Sequence, residues 1–203
     1  MEVKLLNDVS KSELAEIKKM IGEAFVTNEL FHEFGDVADR KELVMKYMDI
    51  YTDYVYESKA LYITEDYKGV VGFIHSKKAP VYPQMKMLFR LLRVIPFKIL
   101  KKYMSHIKQI SDSNKRYAIK PHIDILFVCV DKEYQGNGYA RCLVEAAKKY
   151  AESEKVPLLF DTDMEQYAQI YQHYGCELYN QTLASNGVTR YNLVWKTEMQ
   201  YEK

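Results

Sequence analysis

The sequence contains few of the residues that cross-link or interrupt a chain. Its 203 residues include three cysteines, five prolines and eight glycines. The cysteines, Cys129, Cys142 and Cys176, are odd in number and show neither a C-x-x-C pair nor the spacing of a secreted disulfide-rich domain. Reduced thiols in a cytosol are therefore the simplest interpretation.

Long apolar runs and an excess of one charge are also missing. The formal net charge is +1, which gives no global attraction to nucleic acid or to a membrane. No apolar run approaches the length of a membrane span, and the N-terminus lacks the apolar block of a signal peptide. We expect a soluble, cytoplasmic protein without a membrane span or a nucleic-acid partner. The length suits a single domain over residues 1–203, and a homodimer stays open.

A predicted strand, turn and helix form the most informative stretch. Residues 123–130 are apolar and β-branched enough for a strand, and the turn Gln135–Ala140 carries Gly136 and Gly138. A helix with one apolar face follows, formed by Ala140, Leu143, Val144, Ala147 and Ala151. A glycine turn at a helix N-terminus directs backbone N–H groups outward, so this stretch predicts an anion site, most often a phosphate site. The glycine spacing matches neither the dinucleotide fingerprint nor the P-loop.

The turn does match the pattern Q/R-x-x-G-x-G/A, at Gln135, Gly138 and Ala140. With V-D-K-E-Y-Q-G from Val130 and Y-Q-H-Y-G-C from Tyr171, the sequence resembles the GCN5-related N-acetyltransferase (GNAT) superfamily. The Pro121-His122 start of the strand resembles a puromycin-acetyltransferase-like branch. Three residues depart from the family pattern: Lys132, Met164 and Cys176.

The resemblance implies an α/β (α+β) fold with a mixed, splayed central sheet of about six to seven strands flanked by helices. The predicted order of elements is β-α-α-β-β, an insertion, then β-α-β-α-β-β, with the sheet opening between the fourth and fifth strands. Residues 77–120 form the insertion, between the third and fourth strands.

The resemblance also implies an acetyl-CoA-dependent N-acetyltransferase that transfers acetyl directly to a primary amine in a ternary complex, without a metal. The acceptor would be a small-molecule amine or a protein amine. The implied cofactor-binding residues are Val128, Cys129, Val130, Gln135, Gly136, Asn137, Gly138, Tyr139, Ala140 and Arg141. Tyr171 takes the position of the general acid that protonates the leaving thiolate. A catalytically weak acyl-CoA-binding regulatory module is the alternative, favoured by Met164 and Cys176.

The base and the acceptor contacts are less defined. His122 and Asp124 lie two residues apart, hence on one face of the strand, and either could accept a proton directly or through water; a pair that only orders the strand end is the alternative. Phe31, His32 and Phe34 lie in a predicted loop, residues 27–35, between the first two helices. By resemblance they are candidates for substrate contact, although packing of the loop against the core explains them equally well.

The segment 77–120 is strongly basic. It holds twelve Lys or Arg and one acid, so its balance of +11 leaves −10 for the rest of a chain whose total is +1. Two amphipathic helices are predicted, broken at Pro96. A helical flap over the core, a lid that attracts anionic ligands and a membrane-surface helix are the three interpretations.

Overall fold

The computed structural model describes residues 1–111 and 120–197. In chain order its strands and α-helices are β1 (Val3–Leu5), α1 (Lys11–Phe25), α2 (Val37–Glu57), β2 (Leu61–Thr64), β3 (Gly69–His75), α3 (Val81–Val94), α4 (Phe97–Ser111), β4 (Ile123–Val130), α5 (Tyr139–Glu154), β5 (Leu158–Thr162), α6 (Glu165–His173), β6 (Glu177–Leu183) and β7 (Thr189–Trp195). Short 3-10 helices occupy Glu29–Phe34 and Lys132–Tyr134. This order confirms the predicted α/β fold.

One seven-stranded sheet forms the centre, in the order β1-β2-β3-β4-β5-β7-β6. Strands β4 and β5 are parallel, but they pair only from Ile123 to Ile125 against Leu158 to Phe160. Beyond Ile125, β4 continues to Val130 while paired to β3 alone. The sheet therefore splits between its fourth and fifth strands, as predicted.

Helices cover both faces of the sheet and bury two apolar clusters. On one face α1 and α2 pack over β2, β3 and β4, around Ile21, Val44 and Phe127. On the other face α5 and α6 pack around Leu143, Phe160 and Leu193. Strand β3 is buried along its whole length, which suits its position between β2 and β4. Side chains on the two faces of β4 thus enter different layers of the molecule.

The basic segment forms the two predicted helices, α3 and α4, with Pro96 between them. Their inner residues are buried with the α1–α2 cluster: Leu91, Ile95, Leu100 and Tyr103. This packing agrees with a helical flap over the core. Residues 112–119 of the predicted insertion, including Asp112, Lys115 and Arg116, lie outside the described residues.

The segment between α1 and α2 differs from the prediction of an open loop. It forms a 3-10 helix whose N-cap, Asn28, accepts a hydrogen bond from Leu30 N at 2.9 Å. Phe31 is fully buried and Phe34 is 5% exposed. Phe31 stacks on Tyr103 of α4 with ring centroids 5.9 Å apart. These aromatics are inside because a helix distant in sequence covers them.

Candidate active site

The free edge of β4 is the first component of the site. Val128, Cys129 and Val130 pair with β3 through one edge, while their other edge faces the split. Backbone N–H and C=O groups alternate between the two edges of a strand, so about half of these groups point into the split. An extended ligand can add there as a pseudo-strand, which is the role expected for these residues.

The glycine turn lies at the end of this edge. Gly136 and Gly138 have φ of 80° and 82°, in the left-handed region that favours glycine, and an added Cβ would meet only open space at either. The first backbone bond returning to α5 runs from Cys142 N to Gly138 O at 3.0 Å. The N–H groups of Tyr139, Ala140 and Arg141 precede it and are free for a ligand, as in any first helical turn. The turn therefore fits a pyrophosphate.

Side chains hold the turn in place. Gln135 Nε2 donates to Val130 O at 3.3 Å, and Asn137 Nδ2 donates to Tyr134 O at 3.2 Å. Tyr139 is anchored by its hydroxyl, which donates to Asp66 Oδ2 at 2.5 Å. The predicted cradle residues are thus brought together, with Gln135 and Asn137 acting on the loop backbone.

Tyr171 lies on α6, on the α5–α6 side of the sheet. Its ring contacts Phe160 of β5 at 4.8 Å and Tyr174 at 6.4 Å between centroids. Desolvation by this packing, reinforced by Tyr167, raises the pKa of the Tyr171 phenol above its usual value. The phenol therefore stays protonated near neutral pH.

Cys129 is not a nucleophile. Its side chain is buried, and its thiol lies 3.8 Å from Met20 O. Burial raises the pKa of the Cys129 thiol to about 12, so no thiolate forms near neutral pH. Its contribution to the site is through the backbone.

His122 and Asp124 form a direct pair on the face of the sheet opposite to Tyr171. His122 Nε2 lies 3.1 Å from Asp124 Oδ2, and His122 Nδ1 lies 2.7 Å from Lys120 O. Asp124 faces α2. The pKa values of Tyr51 and Tyr54 on this helix are raised mainly by burial, and the negative charge of Asp124 raises them further. The pair and Tyr171 thus occupy opposite faces of the sheet, on either side of the split.

The two contacts of His122 define how the pair handles a proton. A carbonyl oxygen only accepts, so Nδ1 must carry a hydrogen. In the neutral imidazole, Nε2 therefore carries a lone pair that faces the Asp124 carboxylate. In the protonated imidazole, Nε2 carries a hydrogen that it donates to this carboxylate. Burial lowers the pKa of His122, but the hydrogen bond and charge of Asp124 outweigh it and the net pKa is raised. The pair is built to take up one proton.

A polar network next to this pair was missed by the sequence analysis. Arg190 of β7 binds Asp163 through two nitrogens, at 2.7 and 2.9 Å, and Asp161 through a third at 3.1 Å. Asn192 donates to Asp161 at 2.6 Å. The alternating acids of Asp161-Thr162-Asp163, at the carboxyl end of a strand bordering the split, are the signal that could have identified it.

A cavity of about 310 Å³ opens beside this network. Its lining comes from the 3-10 helix, the end of β5 and the β6–β7 hairpin: Glu29, His32, Asp163, Asn186, Gly187, Val188, Thr189 and Tyr191. Of the three predicted substrate contacts only His32 lines it, because Phe31 and Phe34 pack inward against α4. Its two carboxylates, Glu29 and Asp163, make the lining acidic.

Two absences complete the description of residues 1–111 and 120–197. No group of three or more His, Cys, Asp or Glu side chains there could hold a metal ion. None of the helices in those ranges is long and apolar enough to cross a membrane.

Comparison with known proteins now decides the family. A model of the acetyltransferase (GNAT) family matches residues 28–175, well over half of the chain. The chain belongs to the GNAT family. It is therefore an acetyltransferase, and its sheet is split between the fourth and fifth strands as the resemblance implied.

Solved GNAT-like structures share the fold at low identity. An N-acetyltransferase from Staphylococcus aureus Mu50 is 13% identical, with a TM-score of 0.57 over 96% of this chain and 100% of that one. Arylalkylamine N-acetyltransferase 2 from Aedes aegypti is 11% identical, with a TM-score of 0.56 over 95% and 96%. A chain of the NatC complex bound to Gag peptide and CoA is 16% identical, with a TM-score of 0.50 over 97% and 99%. A search of curated protein sequences found no significant match.

Proposed function

We propose that this GNAT protein transfers acetyl directly from acetyl-CoA to the primary amine of a small, positively charged acceptor. One observation carries the proposal: the split between β4 and β5 lies between a turn suited to anions at the start of α5 and a cavity lined by carboxylates at the carboxyl end of β5. Donor and acceptor can therefore enter from opposite sides and meet at the strand edge.

The donor side is formed by backbone groups. Acetyl-CoA supplies an activated thioester when bound. The free N–H groups of the turn and of the first turn of α5 would hold its pyrophosphate, with Arg141, exposed beside the turn, adding positive charge. The free edge of Val128, Cys129 and Val130 would align the pantetheine arm. No covalent attachment to the protein is involved, consistent with the inert Cys129 thiol.

The proton steps fall to two groups on opposite faces. The His122–Asp124 pair takes up the proton that the acceptor amine must lose, directly or through water. Uptake replaces the contact between a lone pair and a carboxylate by a charge-assisted hydrogen bond, which favours the step. Tyr171 keeps its proton until the thiolate leaves and then donates it.

The acceptor is inferred from the charge of the cavity. Glu29 is about half exposed, with a side-chain exposure of 45%, and its carboxylate is 3.6 Å from His32 Nδ1. Asp163 contributes a second carboxylate, balanced by Arg190. A ligand with an amine to be acetylated and a second cationic group suits this lining, whereas an anionic acceptor does not. The volume of about 310 Å³ favours a small molecule over a folded protein surface.

Three further assignments belong to the same proposal. Residues 1–203 act as one domain with 77–120 inserted in it, and the protein works in the cytoplasm. Placement in the puromycin-acetyltransferase-like branch rests on Pro121 and His122 alone. A homodimer is compatible with this arrangement, and nothing in the proposed chemistry requires one.

The test is release of free thiol from acetyl-CoA with a panel of amines matched in size. The panel contains a diamine, a monoamine of equal length, an amino acid and a short peptide. We expect the highest kcat/KM for the diamine, with Glu29→Gln reducing its advantage over the monoamine. Calorimetric binding of acetyl-CoA with no turnover on any amine would favour the acyl-CoA-binding regulatory module instead.

A further inference from the structure

Helix α3 exposes a continuous apolar stripe. Val81, Met85, Leu88, Phe89 and Leu92 recur at the spacing of one helix face, and their exposures run from 41% at Leu88 to 71% at Val81. Phe97, the first residue of α4, is 75% exposed. Single exposed apolar residues are common on protein surfaces, but a full helical face of them marks an interaction site.

The stripe is not what fixes α3 to the protein. A different face of the helix carries the buried residue Leu91. Arg90 binds Asp53 of α2 at 2.5 Å, and Lys86 binds Glu57 of α2 at 2.5 Å. The helix is held by these contacts while its stripe points outward, so the stripe is available to a partner.

The surroundings of the stripe are uniformly basic. Residues 77–111 contain nine Lys or Arg and no acid. Three of them, Lys78, Lys86 and Arg90, pair with acids of neighbouring elements. No ion pair within the described part of the chain involves the other six, which are Lys77, Arg93, Lys98, Lys101, Lys102 and Lys108. A partner for this face must be apolar at its centre and anionic around it.

We propose that α3 and the start of α4 form a docking surface for an anionic lipid bilayer, with α3 lying parallel to the membrane plane. An apolar stripe with aromatic and aliphatic side chains, edged by Lys and Arg, is the pattern of a helix that inserts at the headgroup boundary. Anionic lipids supply negative charge to the six cations that have no ion pair within residues 1–111 and 120–197. A second copy of this chain fits less well, because two such faces would bring like charges together.

Vesicle co-sedimentation tests the proposal with the full chain. The wild-type protein should bind vesicles of phosphatidylcholine mixed with phosphatidylserine, bind pure phosphatidylcholine vesicles weakly, and lose binding as salt rises. Phe89→Ser/Leu92→Ser should weaken binding ~10-fold or more, since two inserted apolar side chains are lost. Lys98→Gln/Lys101→Gln/Lys102→Gln should weaken it ~100-fold, from about a fivefold loss for each of the three charges.

Matched controls separate a docking surface from general stickiness. Val37→Ser/Leu183→Ser removes two apolar side chains that are 46% and 71% exposed elsewhere. Lys41→Gln/Lys149→Gln/Lys155→Gln removes three exposed charges outside the segment. Both controls should bind vesicles like the wild type, and circular dichroism and thermal unfolding should show that all variants fold.

Three results would overturn the proposal. The first is no binding of the wild type to anionic vesicles at low salt. The second is equal binding by the stripe variant and its control. The third is binding to polyglutamate, or a dimer in sedimentation velocity that Phe89→Ser/Leu92→Ser abolishes, without vesicle binding; these would assign the face to an acidic protein or to a second copy.

Discussion

At the scale of single residues, the groups to which we assign the proton steps lie on the two faces of the sheet. Tyr171 is packed on Phe160 beside α5, whereas His122 and Asp124 face α2. Each group is set by its surroundings: the phenol is kept protonated by desolvation, and the imidazole is biased toward proton uptake by a carboxylate 3.1 Å away. A thioester at the split would lie between a donor and an acceptor of protons.

Replacing Tyr171 by Phe tests the donor. The substitution removes only the hydroxyl, so kcat should fall ~100-fold or more while the affinity for acetyl-CoA stays within about twofold. Steady-state thiol release and calorimetry measure the two quantities. Tyr82→Phe, which removes a hydroxyl from a residue that is 78% exposed on α3, is the control and should leave both unchanged. An unchanged kcat for Tyr171→Phe, with chemistry limiting the rate, would assign the tyrosine a structural role.

Asp124→Asn tests the acceptor through pH. Since the raised pKa of His122 lies above its ordinary value of 6.5, kcat/KM should rise with pH through a midpoint above 6.5. Removing the carboxylate leaves burial, which lowers this pKa, so the rising limb should move to lower pH and the maximum should fall. Asp39→Asn, at an exposed site on α2, should keep the wild-type profile. If the midpoint of the rise in kcat/KM does not move in Asp124→Asn, His122 is not the group whose titration controls activity.

The same pair has a consequence for stability. A folded pKa raised above the unfolded one gives stabilisation that is fully present below the unfolded pKa of about 6.5 and is lost as pH rises through the folded pKa. Asp124→Asn should therefore flatten the decline in unfolding free energy on the alkaline side of pH 6.5. Urea unfolding across this range provides a readout independent of activity.

At the scale of elements, we propose that one turn and the helix after it bind the anionic part of the donor. Gly136 and Gly138 have left-handed φ values and form the turn that leads into the helix. The backbone N–H groups before Cys142, whose N–H makes the first intrahelical bond, have no partner in the helix. The macrodipole of a sixteen-residue helix adds favourable potential at the same point. In this proposal, backbone N–H groups bind the anion, a role that lysine side chains take in other proteins.

A pair of variants at Gly138 separates charge from backbone strain. Gly138→Glu and Gly138→Gln impose the same cost at φ 82°, on the order of 1–2 kcal/mol, and equal bulk in open space. Only Glu adds a carboxylate where phosphate would lie, so acetyl-CoA affinity should fall at least ~10-fold further for Glu than for Gln. Calorimetric titration measures the difference. Equal acetyl-CoA affinities for the two variants would show that this turn does not bind the phosphate.

At the scale of the whole molecule, opposite charges are segregated although the total is near zero. Residues 77–120 carry +11 within a chain of +1, and the cavity assigned to the acceptor carries carboxylates. The basic helices α3 and α4 also cover the core with their inner faces. In our two proposals these opposite charges serve different partners, a cationic acceptor and an anionic surface.

Salt dependence of the acceptor KM tests this separation. Raising ionic strength from 0.1 to 1 M shortens the screening length from about 10 to about 3 Å, so the KM of a dicationic acceptor should rise more than that of a monoamine. Glu29→Gln should flatten the dependence, whereas Glu16→Gln, at an exposed site on α1, should not. Identical slopes for Glu29→Gln and wild type would exclude Glu29 as a charge that the acceptor senses.

The sequence by itself determined the elements whose signals are local. Strand β4 spans 123–130 as predicted, because its apolar run, the glycine turn and the helical periodicity after it are contiguous. The start of α1 is likewise set locally, by a capping box in which Glu13 N donates to Ser10 Oγ at 3.2 Å. Local hydrogen bonding and periodicity need no knowledge of distant residues.

Only the tertiary structure decided what the acceptor meets. Glu29, Asp163 and Asn186 come from three elements far apart in the chain, and their convergence depends on how β7 pairs with β5 and how the 3-10 helix packs. The same packing turned Phe31 inward, since Tyr103 of α4 covers it. Strand β5 pairs with β7, and this pairing places Asp161 beside Asn192. Local sequence pattern does not determine the surroundings of a side chain when another element of the fold supplies them. The residues that line the proposed acceptor cavity are of this kind.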